Sequence, residues 1–176
     1  MIQVNFLLYD MFNLFRKEDL YMFNIVLVEP EIPANTGNIS RTCAITGTAL
    51  HLIKPLGFSI DDKHLKRAGL DYWHLLDLHV YENLDEFLAQ HGDKRMFLAT
   101  TKSAQHYDEV EFQDGDFIVF GKETAGLPQR MHDLYPDTRV KIPMLDIEAA
   151  RSLNLSNSAA IILYEALRQV GFLGLK

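Results

Sequence analysis

The stretch Phe23–Lys54, FNIVLVEPEIPANTGNISRTCAITGTALHLIK, decides the fold. Phe23–Glu29 is a short β-branched apolar run, the pattern of a strand buried on both faces. Pro30, Pro33 and Gly37 punctuate the next residues and predict a loop, after which Asn38–Gly47 reads as a helix. Ala49–Lys54 is a second apolar strand, stopped by Pro55 and Gly57. A strand, a helix and another buried strand in succession predict parallel pairing, because the helix carries the chain back across the sheet.

Outward from that unit the alternation continues. Asp61–Ala68 is predicted as a short helix, with Asp61 and Asp62 at its start and Lys66 and Arg67 near its end, as the helix dipole favours. His79–Tyr81, Arg95–Thr100, Asp116–Phe120 and Thr138–Ile142 read as strands, and Leu84–His91 and Gln129–Leu134 as helices. Leu155, Ala159, Ile162, Leu163, Ala166, Leu167 and Val170 mark one face of a last helix. The expected fold is α/β, a single open and mostly parallel sheet flanked by helices, without internal repeats.

The chain has 176 residues, of which 48% are hydrophobic and 23% charged, enough for one real core and unlike a disordered chain. Cys43 is the sole cysteine, so no internal disulfide forms and a cysteine-based zinc site is not expected. A reducing cytoplasm fits. The net charge of −7 argues against a diffuse nucleic-acid coat and requires any RNA partner to find a local basic patch. No histidine spacing suggests a metal site, and neither a G-x-S-x-G elbow nor a G-x-G-x-x-G fingerprint is present.

Residues 1–21 are rich in large apolar side chains, but Asn5, Asp10 and Asn13 interrupt them before a membrane span of roughly 18 residues is reached. The segment also lacks the basic start and cleavage site of a signal peptide. It reads as an extension outside the folded domain, which would occupy 22–176 with Met22 as its functional start.

Three loops after predicted strands carry chemistry-bearing residues. The first, Pro33–Arg41, spaces Asn35, Asn38 and Arg41 at intervals of three, offering amides and a fixed cation to a ribose or phosphate. An Asn cap followed by a solvent-facing Arg would look the same. The second, Phe120–Pro128, brackets a charged turn with Gly121 and Gly126, which allows close backbone approach or simply a tight turn. The third, Ile142–Ala160, spells Ser152-Leu153-Asn154-Leu155-Ser156-Asn157 at a helix entrance. There the leucines are expected to anchor in a core, while the polar residues cap the helix or hold a ligand. Lys54, Lys63, His64, Lys66 and Arg67 gather after the second strand, near His51, Tyr72 and Trp73. They form either a solvated face or a patch for phosphates and bases.

Taken together, N-x-x-N-x-x-R at 35–41, G-x-E-x-x-G-L-P at 121–128 and I-P-M followed by S-L-N-L-S-N at 142–157 resemble, in order, the three motifs of one family. It is the SpoU (TrmH-like) branch of the SPOUT-class RNA 2′-O-methyltransferases. E-P-E-I-P at 29–33, R-A-G-L-D-Y at 67–72 and T-T-K at 100–102 extend the likeness from Met22 to the C-terminus, in the manner of the small single-domain members of that branch. Lys122 and Ala125 depart from it, standing where relatives usually carry a proline or serine and an arginine or glycine. The 144–151 loop is longer than in some relatives.

The resemblance implies a C-terminal trefoil knot (the SPOUT fold), an obligate homodimer and S-adenosyl-L-methionine as methyl donor. It implies Ala99, Gly121, Ile142, Ser152, Leu153 and Asn154 as cofactor-binding residues. Arg41 would be catalytic, with Asn35, Glu123 and Asn154 orienting it or the ribose, and Lys63, Lys66, Arg67 and Lys102 would hold a tRNA anticodon stem-loop. The implied reaction methylates the ribose 2′-hydroxyl of the wobble nucleotide, cytidine or modified uridine, in leucine tRNAs. The alternatives are another tRNA position, ribosomal RNA, or a non-catalytic RNA-binding module on the same scaffold; no metal or membrane is expected. Deleting residues 1–21 should leave folding and activity intact, as thermal melts and a methylation assay of the truncated chain would show.

Overall fold

The computed structural model describes residues 23–59, 73–145 and 152–176. In chain order its elements are β1 (Asn24–Val28), α1 (Pro33–Thr46), β2 (Ala49–Ile53), β3 (Leu78–Tyr81), α2 (Leu84–His91), β4 (Met96–Ala99), β5 (Phe117–Phe120), α3 (Gln129–Leu134), β6 (Arg139–Val140) and α4 (Leu155–Gln169). The strands form one six-stranded sheet in the order β3-β2-β1-β5-β4-β6. Every pairing is parallel. The expected open parallel sheet is therefore the observed one. The helix expected over Asp61–Ala68 lies outside the described residues.

The apolar runs are continuous because both faces of the sheet are covered. Successive side chains alternate faces along a strand, so Ile25 and Leu27 join Leu50, Leu52, Ile118 and Phe120 against α1 and α4. Val26 and Val28 join Ile53, Leu98 and Val119 against Phe87 of α2 and Met131 of α3. The last helix presents the predicted stripe. Ala159, Ile162, Leu163, Ala166 and Leu167 are buried, with Leu155 and Val170 packed at its two ends.

The helix α1 begins earlier than the sequence suggests. Pro33–Gly37, expected as loop, forms its first turn. Proline is suited to the first helical position, where its missing N–H has no intrahelical partner to lose. The helix ends at Gly47, whose φ of 71° is a left-handed cap and whose N–H donates to the Cys43 carbonyl. The consequence is that Asn35 sits in a helix, buried, while Asn38 and Arg41 are exposed farther along it.

A polar and aromatic cluster lies on the α2 side, buried at His51 and Tyr81. The Asn24 amide donates to the carbonyls of Gly115 and Asp116, which turns its Oδ1 toward His51 Nε2 at 3.1 Å. His51 Nε2 then carries the proton, and Nδ1 accepts from the Tyr81 hydroxyl at 2.9 Å. The same hydroxyl lies 2.9 Å from His91 Nε2, and the His79 ring stacks on His51 at 4.7 Å. Burial, with the neighbouring His79 and His91, pushes His51 down to about 3.

In the unfolded chain this imidazole titrates near pH 6.5. Unfolding then takes up a proton that the folded protein refuses, so stability is undiminished above pH 6.5 and falls as pH drops toward the folded value. Urea titrations should show about 1.1 kcal/mol lost per pH unit from His51 between 6.5 and 5, the slope steepening toward about 1.4 at the acid end. His51→Phe should lower stability at pH 7.5 but flatten that slope.

Candidate active site

All strands are parallel, so their C-terminal ends share one edge of the sheet, where ligands collect in open α/β folds. The loops leaving β1 and β5 meet there. Glu29 opens the first loop with φ 53°, a left-handed conformation uncommon for a residue with a side chain. Its carboxylate accepts from Lys122 Nζ at 2.9 Å, an ion pair that holds the lysine amine above its ordinary value. Glu31 Oε2 accepts from the Thr124 N–H and hydroxyl at 3.1 and 2.7 Å. In return Glu123 accepts from the N–H groups of Glu31 and Ile32 at 2.8 and 3.2 Å.

The second loop folds tightly on itself. The Gly126 N–H donates to the Lys122 carbonyl, and Gly126 has φ 71°. A Cβ on Gly121 would stand 2.0 Å from the Gly126 carbonyl carbon, so only glycine fits.

From Glu123 a relay of hydrogen bonds crosses to the last helix. Asn35 Nδ2 donates to Glu123 Oε1 at 2.9 Å, which fixes the amide so that Asn35 Oδ1 accepts from Asn154 Nδ2 at 3.0 Å. Asn154 is thereby oriented with its Oδ1 toward α4, where it caps the N–H groups of Ser156 and Asn157 at 2.9 and 3.3 Å. One asparagine is thus both a helix cap and the end of a carboxylate-anchored chain. The negative charge of Glu123 also lies at the N-terminus of α1, whose cap residue Ile32 offers no side-chain oxygen.

The relay borders a cavity of about 650 Å³, within the roughly 300–1,000 Å³ of small-molecule sites. Ala99, Gly121, Ile142, Ser152, Leu153 and Asn154 all line it, as do Asn35 and Glu123. Lys102, assigned by resemblance to the RNA stem, lines the same cavity. Arg41 is not among the lining residues. It is exposed on α1, about 9 Å along the axis from Asn35 by helix rise. Lys63, Lys66 and Arg67 lie outside the described residues. Leu153 corrects an expectation: it does not anchor in the core but is 37% exposed at the cavity, and Leu155 alone packs inward.

Sequence reasoning missed His132. It lies on α3, is 6% exposed, and lines the cavity with Nδ1 buried and unpaired. Burial and the nearby Lys102 and Arg139 hold its pKa below the ordinary value. Its position four residues after G-L-P carries no metal or catalytic spacing, so only its surroundings reveal it. Among the described residues no group of side chains could hold a metal ion.

The profile of the SpoU rRNA Methylase family matches residues 22–164. The chain belongs to the SpoU methylase family. It is 55% identical over 154 residues to the tRNA (cytidine(34)-2′-O)-methyltransferase of Methylovorus glucosotrophus strain SIP3-4, covering 87% of this chain and 99% of that protein. It is 51% identical over 156 residues to the enzyme of the same name from Saccharophagus degradans, covering 88% and 100%. A solved structure reporting "Structural insights into the 2-OH methylation of C/U34 on tRNA" superposes with a TM-score of 0.79 at 41% identity, covering 85% of this chain and 97% of that one. The SpoU likeness read from the three motifs is therefore correct.

On this SpoU scaffold the double role of Asn154 is separable. Asn154→Ala should cost about 1 kcal/mol in denaturant unfolding, the worth of a cap. Asn154→Asp keeps the capping oxygen but cannot donate to Asn35. It should retain most of that stability while shifting the Asn35 side-chain amide resonance in NMR spectra.

Proposed function

We propose that this protein transfers a methyl group from S-adenosyl-L-methionine to the ribose 2′-hydroxyl of nucleotide 34, a cytidine or modified uridine, in the anticodon of leucine tRNAs. The observation that carries the reading is the Glu123–Asn35–Asn154 relay bordering a nucleoside-sized cavity on a SpoU-family chain. Relatives matched over nearly their whole length are named for the cytidine-34 reaction, which favours tRNA over ribosomal RNA.

The residues present fit the donor. Phe120, Leu127, Val140, Ile142 and Ile162 give apolar walls suited to a purine, and Gly121 lets the turn close against the backbone of Gly126 and Leu127 beside them. Ala99, Gly121, Ile142, Ser152, Leu153 and Asn154 would hold it. When bound, the sulfonium supplies a methyl group already activated for displacement.

The protein's work is then alignment and charge management. Asn35 and Asn154, locked by Glu123, present fixed polar groups to the ribose or to Arg41. A guanidinium rarely gives up its proton. Arg41 therefore stabilises the alkoxide that develops on the 2′-oxygen and clamps the neighbouring phosphate through its two-pronged face. Lys102 at the cavity, with Lys63, Lys66 and Arg67, supplies the local basic patch that a net charge of −7 makes necessary.

The reading includes a homodimer in the cytoplasm and a trefoil knot in the region of the cofactor loops, as the family implies. The exposed Ile161 and Tyr164, three apart on the outer face of α4, together with Phe172 and Leu173, support a partner covering that side. Residues 22–176 form the catalytic domain in this reading.

The test is methylation of a leucine tRNA by the purified protein with isotope-labelled donor, mapped by mass spectrometry. Label should appear on ribose 34; label elsewhere, or on ribosomal RNA only, refutes the assignment. Arg41→Ala should lower kcat about 10²–10³-fold. Full activity with a wild-type pH profile in Arg41→Lys would refute the two-pronged role.

A further inference from the structure

Buried polar groups in folded proteins are almost always paired, and the exceptions call for a reason. Among the described residues three buried side-chain atoms lack a partner: the hydroxyls of Thr36 and Thr138, and His132 Nδ1. Only His132 lines the cavity. We infer that His132 is a base-reading residue of that cavity, hydrogen-bonding the polar edge of the cofactor's purine ring. The inference rests on the cofactor reading above and goes beyond it by assigning a contact that none of the three motifs contains.

The surroundings define the ligand group. Lys102 and Arg139 stand close enough to act on His132 electrostatically, with Asp133 opposing them, and Lys122, Lys141 and Glu123 line the same cavity. This balance repels a second cation, which excludes the sulfonium and the ammonium group of the donor as partners. Burial first, then these cations, disfavours the imidazolium, and a neutral imidazole carries one donor and one acceptor. Adenine's 6-amino group, shared by its Watson–Crick and Hoogsteen edges, is a donor that a neutral imidazole Nδ1 can accept from, and it is the group the inosine form lacks. The apolar walls of the cavity suit a ring better than a carboxylate, whose natural partners would be the lysines.

The test uses the full chain and isothermal titration at pH 7.5 with S-adenosylhomocysteine and its inosine counterpart, in which the purine edge is altered and the rest of the molecule is unchanged. His132→Leu should weaken S-adenosylhomocysteine about 10-fold but the inosine form less than about threefold, the loss of one hydrogen bond appearing only where the edge matches. The unloaded variant should melt no lower than wild type, because an unpaired buried polar group has been removed. His132→Gln, which keeps a donor and an acceptor, should recover most of the affinity and stands in if the leucine variant fails to fold.

Three results would overturn the inference. One is an S-adenosylhomocysteine affinity unchanged in His132→Leu. Another is an equal loss for both probes, which would move the contact to the ribose or the amino-acid part. The third is a wild-type affinity that rises as pH falls from 7.5 to 6, the mark of an imidazolium gripping an anion. A wild-type protein that binds neither probe would overturn the cofactor reading along with this one.

Discussion

The carboxylate of Glu123 holds the site together. Its two oxygens take three N–H donors, from Glu31, Ile32 and Asn35, and so join the turn after β5 to the loop and helix after β1. Charge-assisted bonds of this kind are about twice as strong as neutral ones. Here the arrangement also resolves an amide ambiguity. With Glu123 as an obligate acceptor, Asn35 has one possible orientation, Asn154 has one, and α4 begins where the chain of donors ends. Replacing the carboxylate would take this acceptor from the Glu31 and Ile32 N–H groups and from the Asn35 amide, leaving the Glu29–Lys122 and Glu31–Thr124 contacts to join the two loops.

That arrangement is possible because the sheet is rigid and buried. β1 and β5 are neighbours in register, Asn24 with Phe117 through Leu27 with Phe120, so their C-terminal loops emerge side by side. The side chains beneath them are fully enclosed: Leu27, Val28, Val119 and Phe120 are each at most 2% exposed. The glycine at 121 then lets the turn close to a distance no side chain would allow. Packing fixes the loop stems, and the polar groups have only the last few ångströms to settle.

Much of this is legible in the sequence. The strands and helices of the described regions announce themselves through β-branched runs and a 3.6-residue stripe on α4, because burial on both sheet faces leaves little room for polar residues. The start of α1 is not legible, since Pro33 and Gly37 carry the same signal in a loop as at the first turn of a helix. Asn35, Glu123 and Asn154 stand out by type and by resemblance. Their mutual hydrogen bonds do not, because they join residues far apart in the chain. Leu153 reads as an anchor because alternation with polar residues looks the same whether the apolar side chain enters a core or a cavity. His132 leaves no trace at all: an isolated histidine on a short helix acquires meaning only from what the fold packs around it.

The same long reach has a consequence for how the protein comes into being. The relay spans 88 residues from Asn35 to Glu123 and 119 from Asn35 to Asn154. The central strand pairs with β5 across a similar interval. Contacts this distant demand that chain entropy be spent before they return anything, which makes folding slow and late-committing. During synthesis, a chain that ends before Asn154 has no partner for Asn35 Oδ1 and nothing to cap α4. The cavity is therefore finished only when the last quarter of the polypeptide has left the ribosome, and no partly made chain has a completed site.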